Sequence, residues 1–430
     1  MTASAVGYSQ VREWVKVMLG RTHTTVVHTI AWAVLCLLVA QRATPAAMAR
    51  ALPADQGGRA RARLTRVRRW WMGPPLDQAV VSPQLIHVAL ALLPPGQSVV
   101  VALDTTRLGS WELWLAGIVV AGRTVPIGWA VLPSPWPKGR FRTTTLALVR
   151  RLQAAFPPAV PWTLVADRGF PSAILFAQLR QGGTSFSVRL RLSDWVTVAR
   201  VYATVAEHLA ARRLGDGQRT AATMGRGRPA QPLVPGWVVV STAVVAPPKH
   251  KQNPGTVRER AQRAQAHAQH RTHKQGRKTK PPSATAQRYG QTWVLFTTAP
   301  TVVQAAAEYA QRMPIEETFR DWHSSWGVRA AVVALPTEAM VDRLIGVVCV
   351  TYSLQMHLGQ RCSVDPLGQQ RREQWTVTDR VSWFWCGQQL FNDPGYDWSA
   401  WLAAQWAALP RPHLSGVSEP EPASRLAEAA

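Results

Sequence analysis

Hydrophobic positions are dense between residues 24 and 40, TTVVHTIAWAVLCLLVA, and this spacing predicts a core helix. His28 and Thr29 interrupt the run, which is too short to span a bilayer. Thr44 at an N-cap position and Pro45 behind it predict a short second helix, AAMARAL. Pro53 and Gly57-Gly58 then break the chain. Residues 59 to 71, RARARLTRVRRWW, predict a third helix carrying six arginines. Pro74-Pro75 and Pro94-Pro95-Gly96 punctuate a connector with an apolar helix candidate, QLIHVALALL.

From Ser98 the pattern changes to short apolar runs. VVVALDTT reads as a central strand, and WELWLAGIVVAG and TVPIGWAVL as two more, with a turn at Gly122-Arg123. Thr143 to Phe156 reads as a helix, WTLVAD as a strand and Pro171 to Gln181 as a helix. That order predicts a mixed α/β sheet flanked by helices. Between Ser185 and Thr298 the segments FSVRLRL, WVTVARVY, GWVVVSTAVV and TWVLFTT alternate and predict a mostly β insertion. Helices resume near Val302, run through the Glu316 region, and recur from Thr337 to Leu358 and from Arg380 to Phe391. The tail after Pro410 has the composition of a disordered segment.

Charge decides the class of partner. Lys and Arg number 49 against 24 Asp and Glu, a formal net charge of +25, which predicts salt-sensitive binding to a polyanion. Within residues 249 to 280 the chain is of low complexity and basic, with Lys249, Lys251, Lys274, Lys278 and Lys280, and reads as a mobile loop. The three N-terminal helices, the last of them basic, suggest a DNA-binding head whose Arg63, Arg66 and Arg69 would face phosphates; a solvated basic helix is the alternative. Cys36, Cys349, Cys362 and Cys386 form no CxxC pair and read as reduced thiols.

Three carboxylates carry the candidate chemistry. Asp104 and Asp167 end apolar strands, and Arg168-Gly169 lets the chain turn away so that Asp167 stands at the strand's carboxyl end. Each is also a plausible strand-end turn residue. Glu316 lies on a helix with Tyr309, Arg312 and His323; the spacings of three, four and seven place all four within an arc of about 60° on a regular helix. Pro314 would clash with the Ala310 carbonyl there, so the helix starts or kinks near it. Neighbouring Glu317 points about 100° away from Glu316. Three acids without a Cys or His cluster suit two hard divalent cations, the arrangement that clamps both oxygens of a phosphodiester displacement.

The order DTT, DRGF and Y-x-x-R-x-x-x-E resembles the DDE transposases of bacterial insertion sequences, most closely the IS-four-like group, over residues 98 to about 358. The resemblance implies an RNase H-like mixed sheet interrupted by a β insertion. The domains would then be a helical head and connector over 1–95, core segments over 96–184 and 300–360 around an insertion over 185–299, and a C-terminal helical region with a tail over 361–430. It implies that Asp104, Asp167 and Glu316 are catalytic and hold two Mg²⁺, or Mn²⁺. Hydrolysis at the terminal inverted repeats of double-stranded DNA would free a 3′-OH that attacks target DNA. The resemblance further implies that Tyr309 and Arg312 grip the DNA backbone, with Arg168 beside them, and that the protein acts as a homodimer in the bacterial cytoplasm at the nucleoid. Trp293 resembles a base-stacking tryptophan of the family; a sheet-core tryptophan is the alternative. The family's motif ends in Lys seven residues beyond the Glu, where this chain has His323, so Arg320 or a protonated His323 would have to substitute. Two alternatives follow: a transposase-derived DNA-binding protein without catalysis, and a nuclease of the same fold that cuts without joining.

Overall fold

The computed structural model describes residues 5–20, 22–53, 58–228, 231–241, 292–375 and 382–393. Five helices precede the first strand: α1 (Ala5–Leu19), α2 (Thr24–Ala40), α3 (Pro45–Ala51), α4 (Ala60–Trp71) and α5 (Gln78–Ala91). The first of these was not anticipated, although its buried Val11, Trp14, Val15 and Met18 follow helical spacing. Thr44 does stand at the N-cap of α3 with Pro45 behind it, but its side chain makes no capping bond. These helices share one hydrophobic cluster with the sheet that follows.

The strands β1 (Val99–Leu108), β2 (Trp111–Val120) and β3 (Arg123–Pro133) form an antiparallel meander. Helix α6 (Arg140–Ala155) leads to β4 (Trp162–Ala166), and α7 (Ala173–Gln181) to β5 (Ser185–Arg189). Both β4 and β5 run parallel to β1. FSVRLRL therefore belongs to the parallel part of the sheet and not to the insertion, because β5 pairs with β4 in register. The next elements are β6 (Trp195–Val198), β7 (Val201–Thr204), α8 (Val205–Ala210), β8 (Arg219–Met224), β9 (Val234–Ser241) and β10 (Trp293–Thr297). WVTVARVY is not one strand but a hairpin: Ala199 and Arg200 take φ of 50° and 68°, the two positive values that a tight two-residue turn requires.

Among the described residues all ten strands make one sheet, in the order β3-β2-β1-β4-β5-β10-β9-β8-β6-β7. The β-rich segment thus extends the central sheet instead of standing beside it, with β10 paired to β5 on one side and β9 on the other. The chain then forms α9 (Val302–Ala310), α10 (Pro314–Arg320), a π-helical turn at Asp321–Ser325, α11 (Val328–Val333), α12 (Glu338–Val364), α13 (Pro366–Trp375) and α14 (Trp383–Asn392). Helix α12 is long and apolar enough to cross a membrane, but 83% of its apolar window is buried inside the protein, as in a core helix. The basic segment 249–280 and the tail after Pro410 lie outside the described residues.

Tryptophan stitches the helices to the sheet. Four fully buried indoles place their N–H on distant acceptors: Trp14 on the Val350 carbonyl (3.3 Å), Trp114 on Thr145 (3.2 Å), Trp129 on Asp342 (2.9 Å) and Trp326 on Gln41 (2.8 Å). Each ring fills core volume while its one donor finds a partner across the fold. Arg343 of α12 does the same in charged form, donating to the carbonyls of Trp70 and Pro74.

Candidate active site

Two parallel strands bring the first two acids together. Leu103 of β1 is in register with Ala166 of β4, so Asp104 and Asp167 are the next positions on adjacent strands. Neighbouring strands lie about 5 Å apart, and the carboxyl end of such strands is where an open α/β sheet exposes ligand-binding groups. The Thr105 N–H donates to Asp104 Oδ1 at 2.8 Å. After Asp167 the chain turns, with Phe170 N–H on the Asp167 carbonyl at 3.1 Å.

The third segment is not one helix. Helix α9 ends at Ala310, three residues of turn follow, and Pro314 opens α10 at its first position, where a missing N–H costs nothing. Thr318 anchors α10 to β3: its hydroxyl accepts from Thr124 N–H at 2.9 Å and donates to the Thr124 carbonyl at 3.2 Å. The helix then widens into a π-turn, with Trp326 N–H on the Asp321 carbonyl at 3.1 Å. Asp321 is held there by Arg123 Nε at 2.8 Å and by the Tyr352 hydroxyl at 3.0 Å. The expected single helical arc is therefore replaced by a turn, a short helix and a π-turn.

All four side chains of that segment nonetheless reach the site. The Tyr309 hydroxyl donates to Asp167 Oδ1 at 3.2 Å. Arg312 spans two acids, with one nitrogen 2.7 Å from Asp104 Oδ2 and the other 2.8 Å from Glu316 Oε1. His323 Nε2 lies 3.1 Å from Thr106 Oγ1. Glu317 turns elsewhere and pairs with Arg320 at 2.6 Å, on the exposed side of α10.

Burial sets the electrostatics. Asp104 is pushed up to about 6, chiefly by desolvation, with Asp167 and Glu316 adding to the rise and Arg312 and the Thr105 N–H opposing it. The Tyr309 hydroxyl is raised to about 12 by burial, so it stays protonated and donates. Desolvation lowers Arg312, but Tyr309, Asp104, Glu316 and Asp167 around it outweigh that and raise it, so it stays charged. His323 is lowered by burial and by Arg329, which favours the neutral ring at pH 7. Arg312 Nε and His323 Nδ1 are both buried without a hydrogen-bond partner among the described residues.

The donor set suits a divalent cation. Asp104, Asp167 and Glu316 offer hard oxygens only, and a cation would offset the burial that chiefly raises Asp104. Among the described residues no three ligand-type side chains are already gathered as a cage. Arg312 sits between two of the acids and supplies the positive charge.

The remaining sequence-derived positions are scattered. Trp293 is 8% exposed and packs edge-to-face on Tyr309, 4.9 Å between centroids, which is the sheet-core placement; it also fixes the Tyr309 ring. Arg66 and Arg69 are exposed on α4, whereas Arg63 is half-buried and donates to the Leu52 carbonyl at 3.1 Å. Arg168 is exposed and lines a groove of about 490 Å³ with Arg189 and Arg191. Those last two arginines were missed; their two-residue spacing in FSVRLRL was the signal, although β5 ends at Arg189 and Arg191 lies just beyond it.

No curated protein matches the chain. Residues 141–333 match the family model described as the transposase DDE domain, a span that begins after Asp104 and takes in Asp167, Tyr309, Arg312, Glu316 and His323, and this match supports a DDE transposase.

Proposed function

We propose that the protein is an insertion-sequence transposase that hydrolyses phosphodiesters at transposon ends and transfers the freed 3′-OH into target DNA. The observation that carries this is the convergence of Asp104, Asp167 and Glu316 through Tyr309 and Arg312, with Asp104 in the middle of β1 and Asp167 just past the end of the adjacent parallel β4. The strand order β3-β2-β1-β4-β5, with β1, β4 and β5 parallel, supports an RNase H-like core. The net charge of +25 and the exposed arginines of α4 support double-stranded DNA as partner, with the N-terminal helices as the head that reads the ends.

In this reading Asp104, Asp167 and Glu316 hold Mg²⁺ or Mn²⁺, which when bound supplies Lewis acidity to the scissile phosphodiester and acidity to the attacking hydroxyl. Arg312, with a buried Nε still unpartnered, donates to a phosphate oxygen. Tyr309 orients Asp167 through its retained proton. His323 acts as a neutral hydrogen-bonding group beside Thr106 and does not replace the permanent charge of a lysine. That last feature favours one second reading, a transposase-derived DNA-binding protein with weakened catalysis. A homodimeric synapse in the bacterial cytoplasm belongs to the first reading.

The test uses DNA carrying the inverted repeats that flank the gene, with Mg²⁺. Wild type nicks and joins, while Asp104→Ala, Asp167→Ala and Glu316→Ala each bind ends without cutting. Cutting retained in all three variants refutes the assignment. Pre-cut ends that are bound but never joined identify a nuclease instead.

A further inference from the structure

The outer strands of the sheet have one covered face and one open face. Val196, Val198, Ala222 and Val238 point to the covered side and are buried. On the other side, register places Trp195, Thr197, Tyr202, Ala221 and Trp237 together, since Thr197 is opposite Tyr202 and Thr223, and Ala221 is opposite Trp237. Further along the same face, at β9 and β10, helix α9 covers Val239, Trp293 and Leu295. Past α9 the face carries an indole that is 45% exposed, Trp195, stacked on Tyr202 at 5.0 Å with 23° between planes.

Arginines cap these rings. Arg219 lies 3.5 Å over the Trp237 ring, and Arg226 lies 4.7 Å over Tyr202 with Nε donating to the Tyr202 hydroxyl at 2.8 Å. Among the described residues neither arginine has a carboxylate partner, and Arg219 Nε is buried without an acceptor. No carboxylate occupies a position on this face of β6 to β9. A guanidinium held over an aromatic ring keeps its charge, and its terminal NH₂ groups remain as donors for a phosphate oxygen. An exposed indole beside it suits a base.

We propose that the open face of β6 to β9 is a second nucleic-acid surface, separate from the acids, that grips a phosphodiester backbone through Arg219 and Arg226 and stacks a base on Trp195 when the strand is unpaired. It rests on the reading of DNA as partner. Its rings and arginines are carried by β6 to β9 and the turn after β8, whereas the head is built from α1 to α4 and the acids from β1, the end of β4 and α10.

The test measures binding of a fluorescent random-sequence duplex and a single strand of equal length across a salt series, for wild type, Arg226→Gln, Arg226→Lys and Trp195→Ala. Arg226→Gln lowers the salt slope by about 0.9 on duplex or about 0.7 on single strand, and Arg226→Lys retains it. Trp195→Ala weakens the single strand by about 5- to 100-fold and leaves the duplex unchanged. Loss on both probes assigns the backbone; loss on the single strand alone assigns base stacking. Wild-type slope and affinity in both Arg226→Gln and Trp195→Ala overturn the proposal while leaving the transposase reading intact. No binding of either probe by wild type overturns both. Thermal unfolding of each variant separates a lost contact from a lost fold.

Discussion

Replacing Asp104 by Asn should make the protein more stable in EDTA, and the gain should depend on pH. Asp104 has its carboxyl at about 6 against an ordinary value of 3.8, chiefly because it is buried. This value already contains the attraction of Arg312. A gap of that size corresponds to about 3 kcal/mol, the cost of keeping the carboxylate ionised in the fold at pH 8. The sign follows from proton counting: between 3.8 and about 6 the folded state binds more protons than the unfolded state, so stability is full below 3.8 and falls as pH rises through 6. Asn has nearly the same shape and escapes this loss, but its single carbonyl oxygen can accept from Thr105 or from Arg312 and not from both, which costs about 1 kcal/mol at every pH. Urea unfolding in EDTA should favour the variant at pH 8 by about 2 kcal/mol, and by about 2–3 kcal/mol more at pH 8 than at pH 4. A gain that is absent at pH 8, or the same at pH 8 and pH 4, refutes the reasoning. Such a stabilised but inactive variant is what a functional site under electrostatic tension predicts.

Arg123→Ala should cost about 3–5 kcal/mol in urea unfolding, because it leaves Asp321 buried with only the Tyr352 hydroxyl; it should lower DNA cleavage at saturating DNA as well, since Asp321 fixes the π-turn next to α10. Gly387→Ala should destabilise by about 1–3 kcal/mol, because the added methyl would meet the Gln355 carbonyl oxygen at 1.9 Å where α12 and α14 cross; a thermal melt reads it. His323→Lys should steepen the salt dependence of DNA-end binding by about one contact, a log–log slope change near 0.9, measured by anisotropy. Glu317→Gln should leave cleavage unchanged, since its partner Arg320 is an exposed ion pair worth little.

The two aspartates stood out because a carboxylate after an apolar run is conspicuous in a one-dimensional pattern, but only Asp167 follows a strand end; β1 continues past Asp104 to Leu108, where its pairing with β2 holds it. Asp104 after VVVAL and Asp167 after TLVA both carry that signal. Pro314 was legible as a break for a steric reason, and the structure opens α10 there. Other features had no local signature. The π-turn depends on Asp321 meeting Arg123, 198 residues away in sequence, and no window of the chain contains both. The membership of β5 in the parallel sheet is a pairing with β4, whereas its alternation of Phe, Val and Leu with polar residues reads like any half-buried strand. The turn at Ala199-Arg200 lacks the glycine or asparagine that announces a positive φ. The abundance of tryptophan became intelligible only with the long-range acceptors of Trp14, Trp129 and Trp326 in view.

The site's geometry argues for why one arginine matters more than its sequence spacing suggests. Asp104 and Asp167 are rigid, fixed by adjacent parallel strands. Glu316 is different: it lies on a seven-residue helix and its side chain is 49% exposed, with Arg312 as its hydrogen-bonded tie to the strands. Arg312 itself is 9% exposed at the side chain and packs beside Tyr309. It therefore ties the partly exposed acid of α10 to the buried acid of β1. The break between Tyr309 and α10 has a separate cause in Pro314, and it leaves Arg312 in the turn from which its guanidinium reaches both Asp104 and Glu316. Without the break at Gln311–Met313, Pro314 would clash with the Ala310 carbonyl.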